Sequence, residues 1–294
     1  MVAASSLLFF LALYVGLPAL RQAGASWFAA FNLVLALPTG LLGAAALVAC
    51  RVEGYPVSWP ALRDRLRLGR PDPSTWLWTA ALAVFMRGGP WSSPLAFVVA
   101  LAAAAVGRGD EGLGKWAVGL ALFLGSSWVL WQAGPWLGAM PLHPRPQYLS
   151  DFLSRFGPGE FMGIPLPGRW WVAAYYAGFL LCNVMGEELW WRGYLLPRQE
   201  MAHGRAAWLV HGALWAAFHR AAWLVHGALW AAFHLFFQWT LWDLVRMLPT
   251  CCALAFVAQH RRNTWPGVFG HAVGNSPLLL QIVGGIMRAP APLS

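Results

Sequence analysis

Long apolar runs, separated by short loops that carry arginine, constrain this chain more than any other feature. Hydrophobic residues make up 59% of its 294 residues and charged residues only 11%. One soluble core cannot bury so much apolar surface, whereas a bilayer accepts it as helices of about 20 residues. The sequence therefore predicts an all-α fold, a polytopic transmembrane helical bundle.

Apolar runs of about 17 to 25 residues are long enough, at about 1.5 Å per residue, to cross a hydrocarbon core. They lie at 3–20, 27–49, 73–87, 91–107, 116–133, 169–191, 221–240, 241–259 and 265–287. We expect about eight or nine membrane spans. The first run has no basic segment ahead of it, so we interpret it as a membrane helix and not as a cleaved signal.

The cationic residues of the loops predict the orientation of these spans. With the N-terminus inside, thirteen loop cations lie on the cytoplasmic side and six outside, as the positive-inside rule requires. Topology thus explains the net charge of +9, and we expect a lipid bilayer, not nucleic acid, as partner. Lys115 is the only lysine, a bias that indicates a high-GC bacterium. The expected location is a multi-pass protein of a bacterial inner membrane with a cytoplasmic N-terminus.

Two polar segments and one predicted domain boundary divide the chain. Residues 57–72 alternate apolar and basic side chains at helical spacing, which favours a cytoplasmic amphipathic segment, although a solvated basic loop fits too. Residues 134–168 are rich in proline and glycine and are expected to form an outer loop. We predict N-terminal spans over 1–168 and a catalytic helical core over 169–294.

One internal repeat is identical in both copies. The fifteen residues RAAWLVHGALWAAFH occupy 205–219 and recur at 220–234. In a continuous helix the copies lie about 22 Å apart and about 60° out of phase, so only one can serve a fixed site. Because Arg220 resists burial in hydrocarbon, the second copy is the favoured span and His234 the favoured histidine, with His219 as the alternative.

Three clusters of polar residues interrupt the apolar runs, and such groups are functional candidates. In the first, Glu188 and Arg192 are four residues apart on one helical face and can form an ion pair, while Glu187 lies about 100° around the helix. The second is a tryptophan and a histidine four apart, at Trp230 and His234 or in the first copy. The third, His271 and Asn275, places an imidazole and a carboxamide on one face.

Together these clusters are similar to the signature of the CPBP intramembrane proteases. That family includes the type II CAAX prenyl endopeptidases and bacterial Abi-like homologues, and its pattern is EExxxR, FxxxH and HxxxN. This chain has Glu187, Glu188 and Arg192, then a WxxxH variant ending at His234 or His219, then His271 and Asn275. The resemblance is strong over about 169–287 and weak in WPALRDRLRL upstream.

The resemblance implies an intramembrane endopeptidase that cleaves a peptide or membrane-protein substrate with an activated water. Glu187 would be the base, assisted by His234. His271 and Asn275 would bind or polarise the scissile carbonyl, while Glu188 and Arg192 would be structural or orienting.

The duplication and the cofactor leave alternatives open. The alternative function is a catalytically inactive membrane scaffold or bacteriocin-immunity protein with the same fold, in which the polar clusters only hold helices together. A chain in which neither copy docks correctly would also be inactive. A transporter is disfavoured, because no inverted repeat is evident. Glu187, His234 and His271 have the ligand types of a zinc site, but a metal-free glutamate mechanism uses the same residues. The cofactor, none or a divalent metal such as zinc, and the oligomeric state are not predicted.

Overall fold

The computed structural model describes residues 2–87, 125, 128–129, 132–141, 144–202 and 239–288. The predicted runs 91–107 and 221–240 fall almost wholly outside these residues, as does most of 116–133. Both copies of the duplication, with His219 and His234, also lie outside the described residues.

The described chain is mostly helical, as predicted. The helices are α1 (Val2–Phe10), α2 (Leu17–Gln22), α3 (Trp27–Phe31), α4 (Leu37–Val52), α5 (Trp59–Arg65), α6 (Pro73–Met86), α7 (Gly134–Gly138), α8 (Gln147–Ser154), α9 (Trp170–Glu188), α10 (Leu196–Ala202), α11 (Leu241–Arg261) and α12 (Trp265–Ile286). Three π-helical turns join consecutive helices: π1 (Leu11–Gly16), π2 (Asn32–Ala36) and π3 (Leu189–Leu195). The only strands among the described residues are β1 (Glu160–Phe161) and β2 (Ile164–Pro165).

Each π-helical turn stands directly before a Leu-Pro pair, whose prolines are Pro18, Pro38 and Pro197. A proline in a continuing helix lacks an N–H and its ring clashes with the carbonyl four residues earlier. Here those carbonyls belong to Tyr14, Val34 and Gly193, one in each π-helical turn. Widening the turn relieves the clash, so the helix continues through the proline. The predicted run 169–191 therefore ends too early, since the helix from Trp170 extends to Ala202.

The long helices pack side by side and bury two hydrophobic clusters. α9 packs between α4 and α12, while α6 and α11 pack against α12. One cluster includes Leu66 and Trp190, and the other includes Phe31 and Val184. On α9 and π3 the two clusters are separated by the residues between Val184 and Trp190. The glutamate pair lies in that interval.

One end of the bundle gathers charged residues from four separate segments, and we call it the basic end. Arg67 binds Glu200 through two hydrogen bonds of 2.8 and 2.7 Å. Arg65 donates to Glu53 at 3.0 Å, and Arg198 also binds Glu53. The basic end comprises Arg51, Glu53, Arg63, Asp64, Arg65, Arg67, Arg70, Asp72, Arg198, Glu200, Arg261 and Arg262. The cationic residues at this end are among those that the sequence assigns to the cytoplasmic side.

The amphipathic segment 57–72 is helical only in its middle. α5 covers seven residues, beginning after Ser58, and ends where Arg67 adopts a left-handed conformation with φ of 56°. The turn after α5 then packs against the start of α12, because the Thr264 hydroxyl donates to the Leu66 carbonyl at 2.7 Å. The segment thereby closes the basic end of the bundle.

The segment 134–168 is more ordered than the outer loop expected from its composition. It contains α7, α8 and a hairpin whose strands pair Phe161 with Ile164. The hairpin turn, Met162 and Gly163, has φ of 52° and 79°, the pattern of a two-residue hairpin loop. Phe161, buried against Phe31 and Tyr176, anchors the hairpin to the helices. Aromatic burial, which composition alone does not reveal, gives this segment its structure.

Two helical stretches are long and apolar enough to cross a bilayer within the described part of the chain. They are Ser5–Gln22, with 18 residues, and Trp27–Val52, with 26. The predicted runs 73–87, 241–259 and 265–287 are also helical, over Pro73–Met86, Leu241–Arg261 and Trp265–Ile286. The count of eight or nine spans stays a prediction.

Candidate active site

The ion pair expected from the sequence is present and fully buried. Glu188 is the last residue of α9 and Arg192 lies within π3. The Arg192 guanidinium donates to Oε1 of Glu188 at 2.9 Å, and both side chains have 0% exposure. π-helical turns are often found at functional sites, and this one follows the glutamate pair directly.

The imidazole of His271 contacts the second glutamate of the pair. Nδ1 of His271 lies 3.0 Å from Oε1 of Glu188, the same oxygen that Arg192 reaches. Because a carboxylate oxygen only accepts, Nδ1 carries the hydrogen. Nε2 is then the ring nitrogen that can act on a substrate. His271 was expected to work beside Glu187, but its described contact is with Glu188.

The first glutamate belongs to a second line of contacts. Asn183, four residues earlier on α9, donates to Oε1 of Glu187 at 3.0 Å. The Asn275 amide lies 3.5 Å from Oδ1 of Asn183, so α12 reaches Glu187 through this bridging amide. Glu187 is 6% exposed and Asn183 is also buried. Sequence reasoning missed Asn183, although an amide in an apolar run four residues before Glu187 was the available signal.

Glycines let the neighbouring helices approach the glutamate pair. A Cβ on Gly267 of α12 would overlap Oε2 of Glu188, and one on Gly186 of α9 would overlap the Thr39 carbonyl of α4. α9 is thus held closely between α4 and α12 on both sides of the pair. Within the described residues, Oε2 of Glu188 has no hydrogen-bond partner. Its position depends on the space at Gly267.

The α12 histidine and asparagine stand just before a helical proline. Pro277 cannot donate to the Val273 carbonyl, four residues earlier. The Ser276 hydroxyl donates to that carbonyl instead, at 2.8 Å. Because the Ser276 hydroxyl replaces the missing N–H of Pro277, α12 stays continuous past Asn275. His271 and Asn275 therefore stay on one helical face.

The structure thus joins five of the seven predicted site residues in one cluster: Glu187, Glu188, Arg192 and His271, which are buried, and Asn275, which is half-buried. The other two, His219 and His234, lie outside the described residues. Among the residues that the structure describes, no three histidine, cysteine, aspartate or glutamate side chains form a group that could hold a metal ion. Of the metal candidates, Glu187 and His271 are described and His234 is not.

The cluster lies nearer the basic end than the opposite end. His271 is seven helical residues beyond Thr264, which contacts the turn after α5, a depth of about 10 Å. In the other direction, Glu188 is 18 residues from the exposed Trp170 at the start of α9, or about 27 Å. The basic end is therefore the nearer of the two ends.

Residues 169–276 match the family model described as type II CAAX prenyl endopeptidase Rce1-like. The matched segment begins one residue before α9 and includes every described residue of the cluster. Over this segment the chain is similar to the Rce1-like domain, and this match confirms the resemblance drawn from the motifs. That family is membrane-embedded, and two described helical stretches of this chain are long and apolar enough to cross a bilayer.

No curated protein and no solved structure matches the chain.

Proposed function

We propose that the protein is an intramembrane endopeptidase that hydrolyses a peptide bond of a membrane-associated or peptide substrate. The observation that carries the proposal is the convergence of Glu187, Glu188, His271 and Asn275 from α9 and α12 in one cluster, in which only Asn275 is half-buried. The cluster lies within the segment that matches the Rce1-like endopeptidase model. A carboxylate, an imidazole and an amide supply the groups that water activation and carbonyl polarisation need.

Glu187 is the proposed general base. Asn183 donates to one of its oxygens and so fixes the orientation of the carboxylate. The Asn275 amide, held next to Asn183, is placed to polarise a carbonyl bound between α9 and α12. His234 or His219 would assist, as the family pattern implies.

Glu188 is proposed as a positioning residue. Its contact with Nδ1 fixes the tautomer of His271. Carboxylates commonly orient metal-bound and catalytic histidines in this way. Arg192 in turn holds Glu188 in place. Nε2 is then the nitrogen of His271 that would face the substrate, as the family pattern implies.

A Glu187→Gln variant tests the assignment of the base. Because positioned acid–base groups contribute about 10²- to 10⁴-fold, cleavage of a peptide library by the purified protein should fall at least about 100-fold. Glu160→Gln, a distant glutamate paired with Arg155, serves as the control and should cleave normally. Full activity in Glu187→Gln at normal protein levels would refute the base, and no cleavage in wild-type protein would favour the inactive scaffold.

The duplicated segment supplies a second test. Residues 203–238 connect α10 at the basic end to α11, whose first residues contact Met140 near the opposite end. Deleting Arg205 to His219 leaves 21 of these 36 residues, about 31 Å of helix, which is enough to span a bilayer once. We expect the deletion to keep fold and activity. In the full chain, His234→Ala should abolish cleavage and His219→Ala should not, and the reverse pattern would assign the first copy to the site.

The proposed topology has the basic end and the site facing the cytoplasm, with the N-terminus inside. It is supported by the gathering of predicted cytoplasmic arginines at one end of the bundle. Reporter fusions after Arg67 and after Arg262 should both report cytoplasm. A periplasmic signal from both would reverse the orientation and the substrate's route of entry.

A further inference from the structure

A cavity of about 460 Å³ lies at the basic end, between the α5 turn, α10 and the end of α11. Three arginines line it, Arg65, Arg67 and Arg262, together with the apolar surfaces of Tyr55 and Met201. None of these residues belongs to the cluster around Glu187. The cavity is therefore separate from the candidate active site.

The charged residues that line the cavity differ in whether they form ion pairs. Glu200 also lines it but is held by both terminal nitrogens of Arg67. Asp64, which lines it as well, is paired with Arg63 at 2.9 Å. Within the described part of the chain, the Arg262 guanidinium has no ion pair or hydrogen bond. Among the described residues, Arg262 is thus a cation of the cavity without an ion-pair partner. It lies at an end of the bundle that has eight arginines and four carboxylates.

The backbone at this cavity is also unusual. Arg67 and Arg262 have φ of 56° and 47°, in the left-handed region that favours glycine or asparagine. They are two of the three residues other than glycine with positive φ in the described chain. Both line this cavity. Long cationic side chains therefore stand where the backbone alone would favour a small residue.

We propose that this cavity binds the phosphate of an anionic phospholipid headgroup. Basic pockets at the membrane surface attract such headgroups, and the apolar surfaces of Tyr55 and Met201 suit a glycerol backbone and the first methylenes. The adjoining segment carries exposed apolar side chains, with Trp59 61% and Val57 66% exposed, as in an interfacial helix. Cavity and segment together form one surface facing the lipid headgroups.

The distance to the proposed base argues against a substrate carboxylate as the occupant. Glu200 is thirteen residues beyond Glu187 along the helix, about 20 Å. An extended peptide covers about 3.5 Å per residue, so about six residues would have to lie between the cleaved bond and the cavity. A lipid headgroup needs no such reach.

Single-lipid binding to the full-length protein, measured by native mass spectrometry, tests the proposal. Phosphatidylglycerol should bind at least about fivefold more tightly than phosphatidylcholine, the factor expected for about one arginine near an anionic group. Inorganic phosphate at millimolar concentration should not displace the lipid. Equal binding of both lipids would overturn the proposal, and displacement by phosphate would overturn the lipid as the source of the anion.

Two variants with opposite expected effects and one control variant locate the site. Arg262→Asn should weaken phosphatidylglycerol binding about fivefold without lowering the unfolding temperature, because asparagine suits the left-handed conformation. Arg70→Asn removes an exposed cation at the same end that does not line the cavity, and should weaken binding less than twofold. Asp64→Asn should strengthen binding, since it removes a lining negative charge. Equal losses in Arg262→Asn and Arg70→Asn, or no gain in Asp64→Asn, would show diffuse attraction and overturn the site.

Discussion

The Glu188–Arg192 pair and the Glu53–Arg65 pair use the same side chains at nearly the same distance, 2.9 and 3.0 Å. Their surroundings differ. The first pair has 0% exposure on both sides, whereas Arg65 and Glu53 are 17% and 32% exposed. A buried pair loses its hydration completely and depends on its partner, while water can replace the partner at a surface. The two pairs therefore differ in what their loss costs.

The largest effect is expected from breaking the buried pair. Glu188→Gln leaves the Arg192 charge without its carboxylate in a dry environment, and losing one partner of a buried pair costs about 3–5 kcal/mol in soluble proteins. Unfolding of the detergent-solubilised variant measures it. The double variant Glu188→Leu, Arg192→Met removes both charges and should regain most of the loss. A cost in Glu188→Gln no larger than in Glu53→Gln would contradict the comparison.

A second variant tests how tightly the buried pair is enclosed. Gly267→Ala places a methyl group against Oε2 of Glu188, and overpacking of this kind costs about 1–3 kcal/mol. Gly284→Ala on the same helix meets no atom within 4 Å and should be neutral or stabilising by up to about 1 kcal/mol. Thermal unfolding of both variants gives the difference. Equal unfolding temperatures of the two variants would contradict the close contact between Gly267 and Glu188.

The smallest effect is expected at the exposed pair, where pH is the sharper probe. Hydrogen bonding from Arg198, opposed by burial and assisted by Arg65 and Tyr194, lowers the pKa of Glu53 to about 2. The ordinary value is 4.5. Because the folded pKa is the lower one, the stabilisation is present above pH 4.5 and is lost as the pH falls towards 2.

Glu53→Gln should cost about 1 kcal/mol or less at pH 7. It should also reduce the loss of stability between pH 5 and pH 3, measured by unfolding at a series of pH values. Glu160→Gln, from the Arg155 pair at the other end of the bundle, should keep most of that pH dependence. An unchanged pH profile in Glu53→Gln would show that Glu53 does not contribute to the loss of stability at low pH.

Helical periodicity predicted the buried pair, because residues four apart on a helix share a face whatever the rest of the chain does. It did not predict which glutamate meets His271. Glu187 and Glu188 point about 100° apart, so the answer depends on how α9 is rotated against its neighbours. That rotation is set by close contacts at Gly186 and Gly267, between segments far apart in sequence.

Other features were hidden for similar reasons. The order in residues 134–168 comes from Phe161 of β1 and its aromatic neighbours, which lie in α3, in α9 and in the loop after α8. The cavity at Arg262 exists because the ends of α5, α10 and α11 meet. Contacts of this kind have no local periodicity, and sequence patterns cannot reveal them.

The π-helical turns bear on how this chain should be aligned with its relatives. A turn closed by a hydrogen bond between residues i and i+5 holds one residue more than an α-helical turn. Beyond π3 the helix is therefore turned by about 100° relative to an unbroken α-helix, so Glu188 can face α12 while Arg198 reaches Glu53. Relatives that lack the Leu-Pro pair at 196–197 should show a one-residue gap inside this helix, at a position where gaps are normally penalised. An alignment that moves the gap to a loop would pair the wrong residues on one side of the proline.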